Sequence, residues 1–325
     1  MRAAVSMADV AARAGVSGQT VSRVVNGSAR VEPGTRERVE AAMAELGYRP
    51  HRAARALRTG RTHTIGLVVT TLATVGNSRT LQAAVAAAEA RGYAITVVTV
   101  TGSVSDALLR LESQGVDGVL VLNEASALLS SAELPAGLHI IAADTLLGAV
   151  SHVVRSDHYG GAQAATAHLL ELGHDTVWHL AGPAGSFAAA ERERGWRAAL
   201  DAAGAQVPDV VRGDWSAGSG FAAAAQLDSA GAVFCANDEM ALGLIHGLAE
   251  RGKQVPRHAS IVGFDDVPDS AHYLPPLTTV RQDFQALGLQ AITTLLDRIE
   301  GSTSDPVSES VIPTELVVRA STHTA

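Results

Sequence analysis

From Thr64 onward the chain repeats one pattern, a short apolar run followed by a longer stretch of helical periodicity. The runs are TIGLVV, YAITVVTV, GVLVL and LHIIA, then TVWHL, AVFC and SIVGF. Between them Leu81–Ala90, Tyr159–Leu172, Glu191–Ala203 and Met240–Glu250 read as helices. Parallel strands must be joined by a crossover, and a helix is the usual one, so strands alternating with helices predict parallel sheets covered on both faces. This much repetition exceeds one doubly wound sheet and predicts two similar α/β lobes. Ligands of such folds sit beyond the carboxyl ends of the strands, which makes a cleft between the lobes the expected site.

The bulk composition agrees with several globular units: 325 residues, 47% hydrophobic and 18% charged, can bury a large core. No stretch of 18 consecutive apolar residues exists, so no membrane span is expected. The single cysteine, Cys235, excludes an intrachain disulfide. The first fifteen residues lack the apolar run of a signal peptide, since Asp9 and Arg13 interrupt it, and a cytoplasmic location is expected. The net charge of -8 conceals a division. Residues 1–61 hold 11 Arg and 5 acidic residues, a net of +6, and the remaining 264 carry -14. A small basic head on a large acidic body suggests a polyanion-binding module joined to something that binds a different ligand, although a solvated Arg-rich helix face has the same composition.

Within the head, Ser6-Met7-Ala8-Asp9 fits the capping box of a first helix that runs to Ala14, with Gly15 able to take the left-handed conformation. Ser17 caps a second helix through about Val25. Pro33 opens a third that runs to Leu46 and stops at Gly47. Val10, Ala11, Ala14, Val16, Val21 and Val24 form the apolar seam of the first pair, and Val39, Met43 and Leu46 close a three-helix core. Gln19, Thr20, Ser22 and Arg23 are left facing out. Such side chains read base edges and hold phosphates, which gives a helix-turn-helix; an ordinary helical hairpin with a polar face fits the same pattern.

The stretch DVAARAGVSGQTVSRVVNG, followed by TRERVEAAMAELGYRPHRAARALRTGRTHTIGLVV, resembles the DNA-binding head, hinge and first core strand of the LacI/GalR family. The resemblance implies that Gly18, Gln19 and Arg23 occupy base-reading positions. Ser17, Thr20, Ser22, Asn26 and Arg30 complete the head's candidate DNA contacts. Gly18 stands where an aromatic residue can occur, so the operator sequence does not follow from the likeness. Glu32 replaces a small capping residue before the third helix, where an acid still suits the helix dipole. The segment after Pro50 is implied to be a hinge helix, with Ala54 allowing close approach and Leu57 wedging a base step from the minor groove.

The resemblance extends over nearly the whole body through LAGPAGSF with RERGW, GDWSAGSGF, CANDEMALG and IVGFDDVPDSAHYLPPLTTVRQDFQALG. It implies a two-lobed, periplasmic-binding-protein-like core with two doubly wound parallel sheets and three crossovers. The expected domains are a helix-turn-helix head at 1–49, a hinge helix and linker at 50–61, and a ligand-binding and dimerisation core at 62–325. Residues 62–156 and 284–311 would form one lobe, 157–281 and 312–320 the other. At the positions that match the family's sugar cleft stand Arg192, Asn237 and Asp265 for hydroxyls and Trp215 and Phe284 for the ring, with Asp144 and Gln282 nearby. Taken singly, Asp265 fits a turn cap, Arg192 a surface ion pair and Trp215 a core residue. Leu122, Arg155 and Ala188 replace an amide, an aromatic and a serine of the pocket that the motifs follow, and Thr70 and Gly76 are also changed. Arg155 is therefore expected to add polarity to the ligand's far side.

Enzyme readings are weak. Gly218–Ala223 spells GxGxxA without a strand leading into it, and Asp214–Gly218 resembles a nucleophile elbow whose first glycine is Asp. The twelve histidines form no HExxH, and no metal or cofactor is expected. The expected function is a repressor that binds a pseudo-palindromic operator as a homodimer, controlled by a small sugar, a galactoside or related disaccharide acting as inducer. A co-repressor with the same fold and a sugar-binding protein without a DNA role are the alternatives. The dimer expectation rests on the absence of a leucine heptad after VVRASTHTA, with Met240–Glu250 and Tyr273-Leu274 as its interface.

Overall fold

The computed structural model describes residues 5–25, 28, 30–48, 60–148, 150–302 and 307–325. The chain divides into two compact units, residues 1–62 and 63–325. The expected hinge helix, with Ala54 and Leu57, and Asn26 in the head lie outside the described residues.

In the first unit α1 (Met7–Ala14) begins at the expected capping box. The Ser6 hydroxyl accepts from the Asp9 amide at 3.3 Å, and the Asp9 carboxylate accepts from the Ser6 amide at 2.8 Å. Gly15, at φ 65°, ends the helix in the left-handed region. α2 (Gly18–Val25) starts where the Ser17 hydroxyl accepts from the Thr20 amide at 3.1 Å. α3 (Pro33–Leu46) stops at Gly47. Val10, Val21 and Val39, each fully buried, meet at the centre, and Tyr48 joins them from beyond α3. Glu32 makes no side-chain bond to the helix it precedes, so its contribution is limited to the dipole.

In the second unit, six parallel strands form one sheet in the order β11-β5-β4-β3-β1-β2. They are β1 (Thr64–Val69), β2 (Ala94–Thr99), β3 (Gly118–Leu122), β4 (His139–Ala143), β5 (His152–Ser156) and β11 (Ser308–Ile312). On β1, Leu67 and Val69 face one core while Val68 faces another, the two-sided burial expected of a parallel sheet. The second sheet runs β12-β10-β9-β8-β6-β7, from β6 (Trp178–Ala181), β7 (Val211–Arg212), β8 (Ala232–Cys235), β9 (Ser260–Asp265), β10 (Thr278–Gln282) and β12 (Thr314–Val317). It is not wholly parallel, because β12 returns antiparallel to β10 at the edge.

The chain passes between sheets three times. From β5 it enters α7 (His158–Glu171), which packs on the second sheet; from β10 it enters α11 (Phe284–Glu300), which packs on the first; and Pro313 separates β11 from β12. Ile312 pairs with Ser156 and so ends the first sheet's edge strand. The remaining helices are α4 (Val75–Ala90), α5 (Val104–Ser113), α6 (Glu124–Ala127), α8 (Phe187–Ala203), α9 (Ala217–Ala223) and α10 (Asp238–Glu250). The GxGxxA stretch lies inside α9 and not in a loop that could cradle phosphate. The two-residue β7 does precede it, which corrects the expectation of no strand. Ser216 of the elbow-like stretch caps α9 and donates its hydroxyl to Asp214.

Candidate functional site

Two surfaces carry the candidate residues. On the head, Ser17, Gly18, Gln19, Arg23 and Arg30 are exposed, while Thr20 and Ser22 are half-buried. Thr20 shares a 2.9 Å hydroxyl contact with Ser17, so this pair is spent on starting α2. Arg13 pairs with Glu45 at 2.6 Å and Arg36 donates to the Ser28 carbonyl, which ties two of the head's arginines to the fold itself. The exposed row on α2 thus consists of Gly18, Gln19 and Arg23, over a core that needs none of them.

In the larger unit a cleft of about 530 Å³, open mouth included, lies at the carboxyl ends of the strands of both sheets. Asn123 and Glu124 follow β3, Asp144 follows β4, Asn237 follows β8, Asp265 ends β9 and Gln282 ends β10, so the sheet topology alone gathers them.

Arg192, on α8, is the central group and only 4% exposed. Its guanidinium stacks 3.9 Å over the Phe264 ring, donates to the Ala236 carbonyl, and reaches Asp265 Oδ1 at 3.4 Å and His158 Nδ1 at 3.3 Å. A guanidinium cannot accept, so Nδ1 of His158 must. The imidazole proton is thereby assigned to Nε2, which lies 3.0 Å from Asp144 Oδ1. Burial holds His158 below the ordinary histidine range despite that carboxylate. Asp144 is also buried, which works to raise it, but His158, the Ser156 amide at 2.8 Å and Arg192 together keep it below the usual carboxylate range.

Asp265 differs. Burial pushes it up to about 7, with Arg192 and the Gln282 amide opposing and Glu239 adding to the rise. Both of its side-chain hydrogen bonds, from Gln282 and Arg192, fall on Oδ1, which leaves Oδ2 to accept from a ligand. Asn237 spends Oδ1 on the Met240 amide and Nδ2 on the Trp215 carbonyl and Glu239, all near 3 Å. It therefore orients its neighbours as much as it faces the cleft.

The backbone is strained where the cleft is built. Asn123, Asp144, Trp215 and Asp265, with φ of 48°, 49°, 75° and 113°, are non-glycine residues in the left-handed region, and all four line the cavity. Such conformations cost about 1–3 kcal/mol each and persist only where surrounding structure holds them. Trp215 sits on the second unit's core, and Gly182 makes room for it: a Cβ there would lie 2.3 Å from the indole. On the opposite wall, Phe284 closes against Gly76.

Eight of the ten ligand-site residues expected from the sequence line this cleft: Gly76, Asp144, Arg192, Trp215, Asn237, Asp265, Gln282 and Phe284. Thr70 and Arg155 do not. Arg155 alternates with Val154 on β5, shares the Val153 face, and pairs with Glu309 of β11 at 2.5 Å, so its charge is met at the sheet edge. Leu122 is fully buried and absent from the lining, whereas Ala188 does line it. Sequence reasoning missed His158, Glu239, Glu124, Asn123 and Ser186. Glu239 was within reach, two residues after Asn237 in the first turn of α10. His158 carried no motif.

Comparison with known proteins matches residues 6–51 to bacterial regulatory proteins of the lacI family and residues 166–322 to the periplasmic binding protein-like domain. The chain is 36% identical to the lactose operon repressor of Escherichia coli (strain K12), over 98% of this chain and 91% of that one. It is similar to the solved lac repressor dimer bound to operator and the anti-inducer ONPF, with a TM-score of 0.88 at 34% identity, covering 99% of this chain and 100% of that one. A complex of the transcriptional regulator CelR with cellobiose is also similar, with a TM-score of 0.72 at 35% identity, covering 98% and 99%.

Proposed function

The chain belongs to the LacI family of bacterial regulatory proteins, and on that premise we propose that it is a transcriptional repressor whose operator affinity is set by a small sugar in the cleft. The observation that carries the reading is the gathering of two carboxylates and an aromatic plate around one buried arginine, Arg192 with Asp144, Asp265 and Trp215, and of the Gln282 amide on Asp265. Adjacent sugar hydroxyls need paired donors and acceptors, and the C–H face of a pyranose needs an apolar ring. The similar CelR complex, which holds cellobiose, supports a disaccharide. A galactoside or related disaccharide acting as inducer is the effector class proposed.

The head reads DNA in this proposal. Gln19 and Arg23 meet base edges and Arg30 a phosphate, with two heads of a homodimer on the half-sites of a pseudo-palindrome. For induction, the sugar must favour the state that cannot bind operator, by about 5.5 kcal/mol to reverse a 99:1 population.

The test is a thermal-shift screen of the purified protein against mono- and disaccharides, followed by anisotropy on a labelled operator selected from a random pool. The expected result is a sugar that raises the melting temperature and releases the operator, with both effects lost in Arg192→Ala. A sugar that tightens operator binding would make it a co-repressor. No selection of any DNA sequence would leave only a sugar-binding protein.

A further inference from the structure

The charge in the cleft does not balance. Four carboxylates line it, those of Glu124, Asp144, Glu239 and Asp265, against one guanidinium, that of Arg192. Asp265 is paired to that guanidinium and Asp144 lies against His158 and the Ser156 amide, which leaves Glu124 and Glu239 without an ion pair among the described residues. Among the described residues Glu239 accepts from neutral donors, Asn237 Nδ2 at 2.9 Å and the backbone amides of Val75 and of Glu239 itself. Glu124 Oε2 is buried with no hydrogen-bond partner among the described residues. Gln282, 6% exposed and on the same cavity wall as Asp265, also leaves its Oε1 unpartnered. A buried acceptor without a donor costs free energy, and a buried carboxylate more, so this wall is complete only when a ligand brings donors and positive charge.

Arg192 interacts electrostatically with all four acids, and with Asp238 besides. Burial holds Glu239 above the ordinary range, and Asp265 is raised with Glu239 among the causes, as expected where like charges share a low-dielectric site. His158 gives no relief, since burial keeps it neutral. Among the described residues no group of three His, Cys, Asp or Glu side chains is arranged to hold a metal, so a coordinated cation does not account for the excess.

We infer that the effector is a cationic saccharide, bearing a protonated amine among its hydroxyls, and that Glu239 and Glu124 select it. The inference rests on the saccharide reading of the cleft and names the class within it. The two acids come from opposite sheets, Glu124 after β3 and Glu239 at the start of α10, so an ammonium between them would also bridge the cleft.

The experiment is isothermal titration of the full chain, at pH 7, with three matched sets of probes. These are glucosamine, galactosamine and the glucosamine disaccharide; glucose, galactose and cellobiose; and the N-acetylated amines. The expected result is that at least one amine binds tenfold or more tighter than both its neutral counterparts, the discrimination of about one charge-assisted hydrogen bond. Glu239→Gln or Glu124→Gln, with an unchanged melting curve, should erase that difference, and Glu239→Asp should restore part of it. Neutral sugars binding as well as the amines would overturn the inference and leave the saccharide reading standing. An amine preference that survives both glutamine variants would also overturn it. Binding of none of the probes would remove the saccharide reading, and this inference with it.

Discussion

The head and the cleft use polar side chains in opposite ways. On α2, Gln19 and Arg23 are exposed, and the core beneath them is made of Val10, Val21 and Val39. In the cleft, Asp144, His158, Arg192, Asn237, Asp265 and Gln282 are each more than nine-tenths buried, and all but Asn237 are linked to one another. The head's exposed row can therefore change without unfolding the head. The network around Arg192 cannot, because Asp144, His158, Asp265 and the Gln282 amide group satisfy one another through it, and removing the arginine strands its partners.

The largest effect that would break this contrast is at Arg192. Arg192→Ala should lower stability by about 3–5 kcal/mol, because Asp265 loses its cation in a buried site. A melting temperature equal to the parent's would show that the network is not structural. Next comes acid. His179 is fully buried between the rings of Trp196 and Phe234, and burial holds it at about 4. The unfolded chain protonates first, so the contribution is fully present above about 6.5 and is lost as pH falls toward 4, on the order of 3 kcal/mol in all. Urea denaturation across pH 7.5 to 4 measures it, and a flat profile would contradict the assignment.

At Gly182, substitution by Ala drives a Cβ into the Trp215 ring and should cost about 1–3 kcal/mol, together with effector affinity. Affinity unchanged by calorimetry would remove Trp215 from the site. In the head, Ser6→Ala should cost about 1 kcal/mol by opening the capping box, read as faster hydrogen exchange at the Asp9 amide. The smallest effect on the fold is expected at Arg23→Ala, within about 0.5 kcal/mol. The same variant should weaken specific DNA binding by about 1–3 kcal/mol, and equal losses on specific and random DNA would sharpen Arg23 into a phosphate contact.

How legible each region was follows from the same physics. The head's helices begin and end where Ser6, Gly15, Pro33 and Gly47 direct, because caps act over three or four residues of local chain. Strands with continuous apolar runs were equally plain. β10 was not, since TTVRQ is polar yet buried: Thr279 donates to Asp238 and the Thr278 amide to Ser321, partners 41 and 43 residues away. Arg155 lies off the cleft lining for a similar reason. Its face of β5 is set by pairing with β11, more than 150 residues on, where Glu309 takes it.

By itself, the sequence determined the repeated strand-helix layers, the three-helix head and the residue types a ligand site would need, because periodicity and capping are properties of neighbouring residues. Its resemblance to a known family supplied most of the cleft's membership. Only the tertiary structure decided which acids share the cleft with Arg192, that His158 sits neutral between Arg192 and Asp144, and that the backbone is strained at four lining residues. Charge balance in a buried site is a sum over groups brought together from distant strand ends. No stretch of the chain contains that sum.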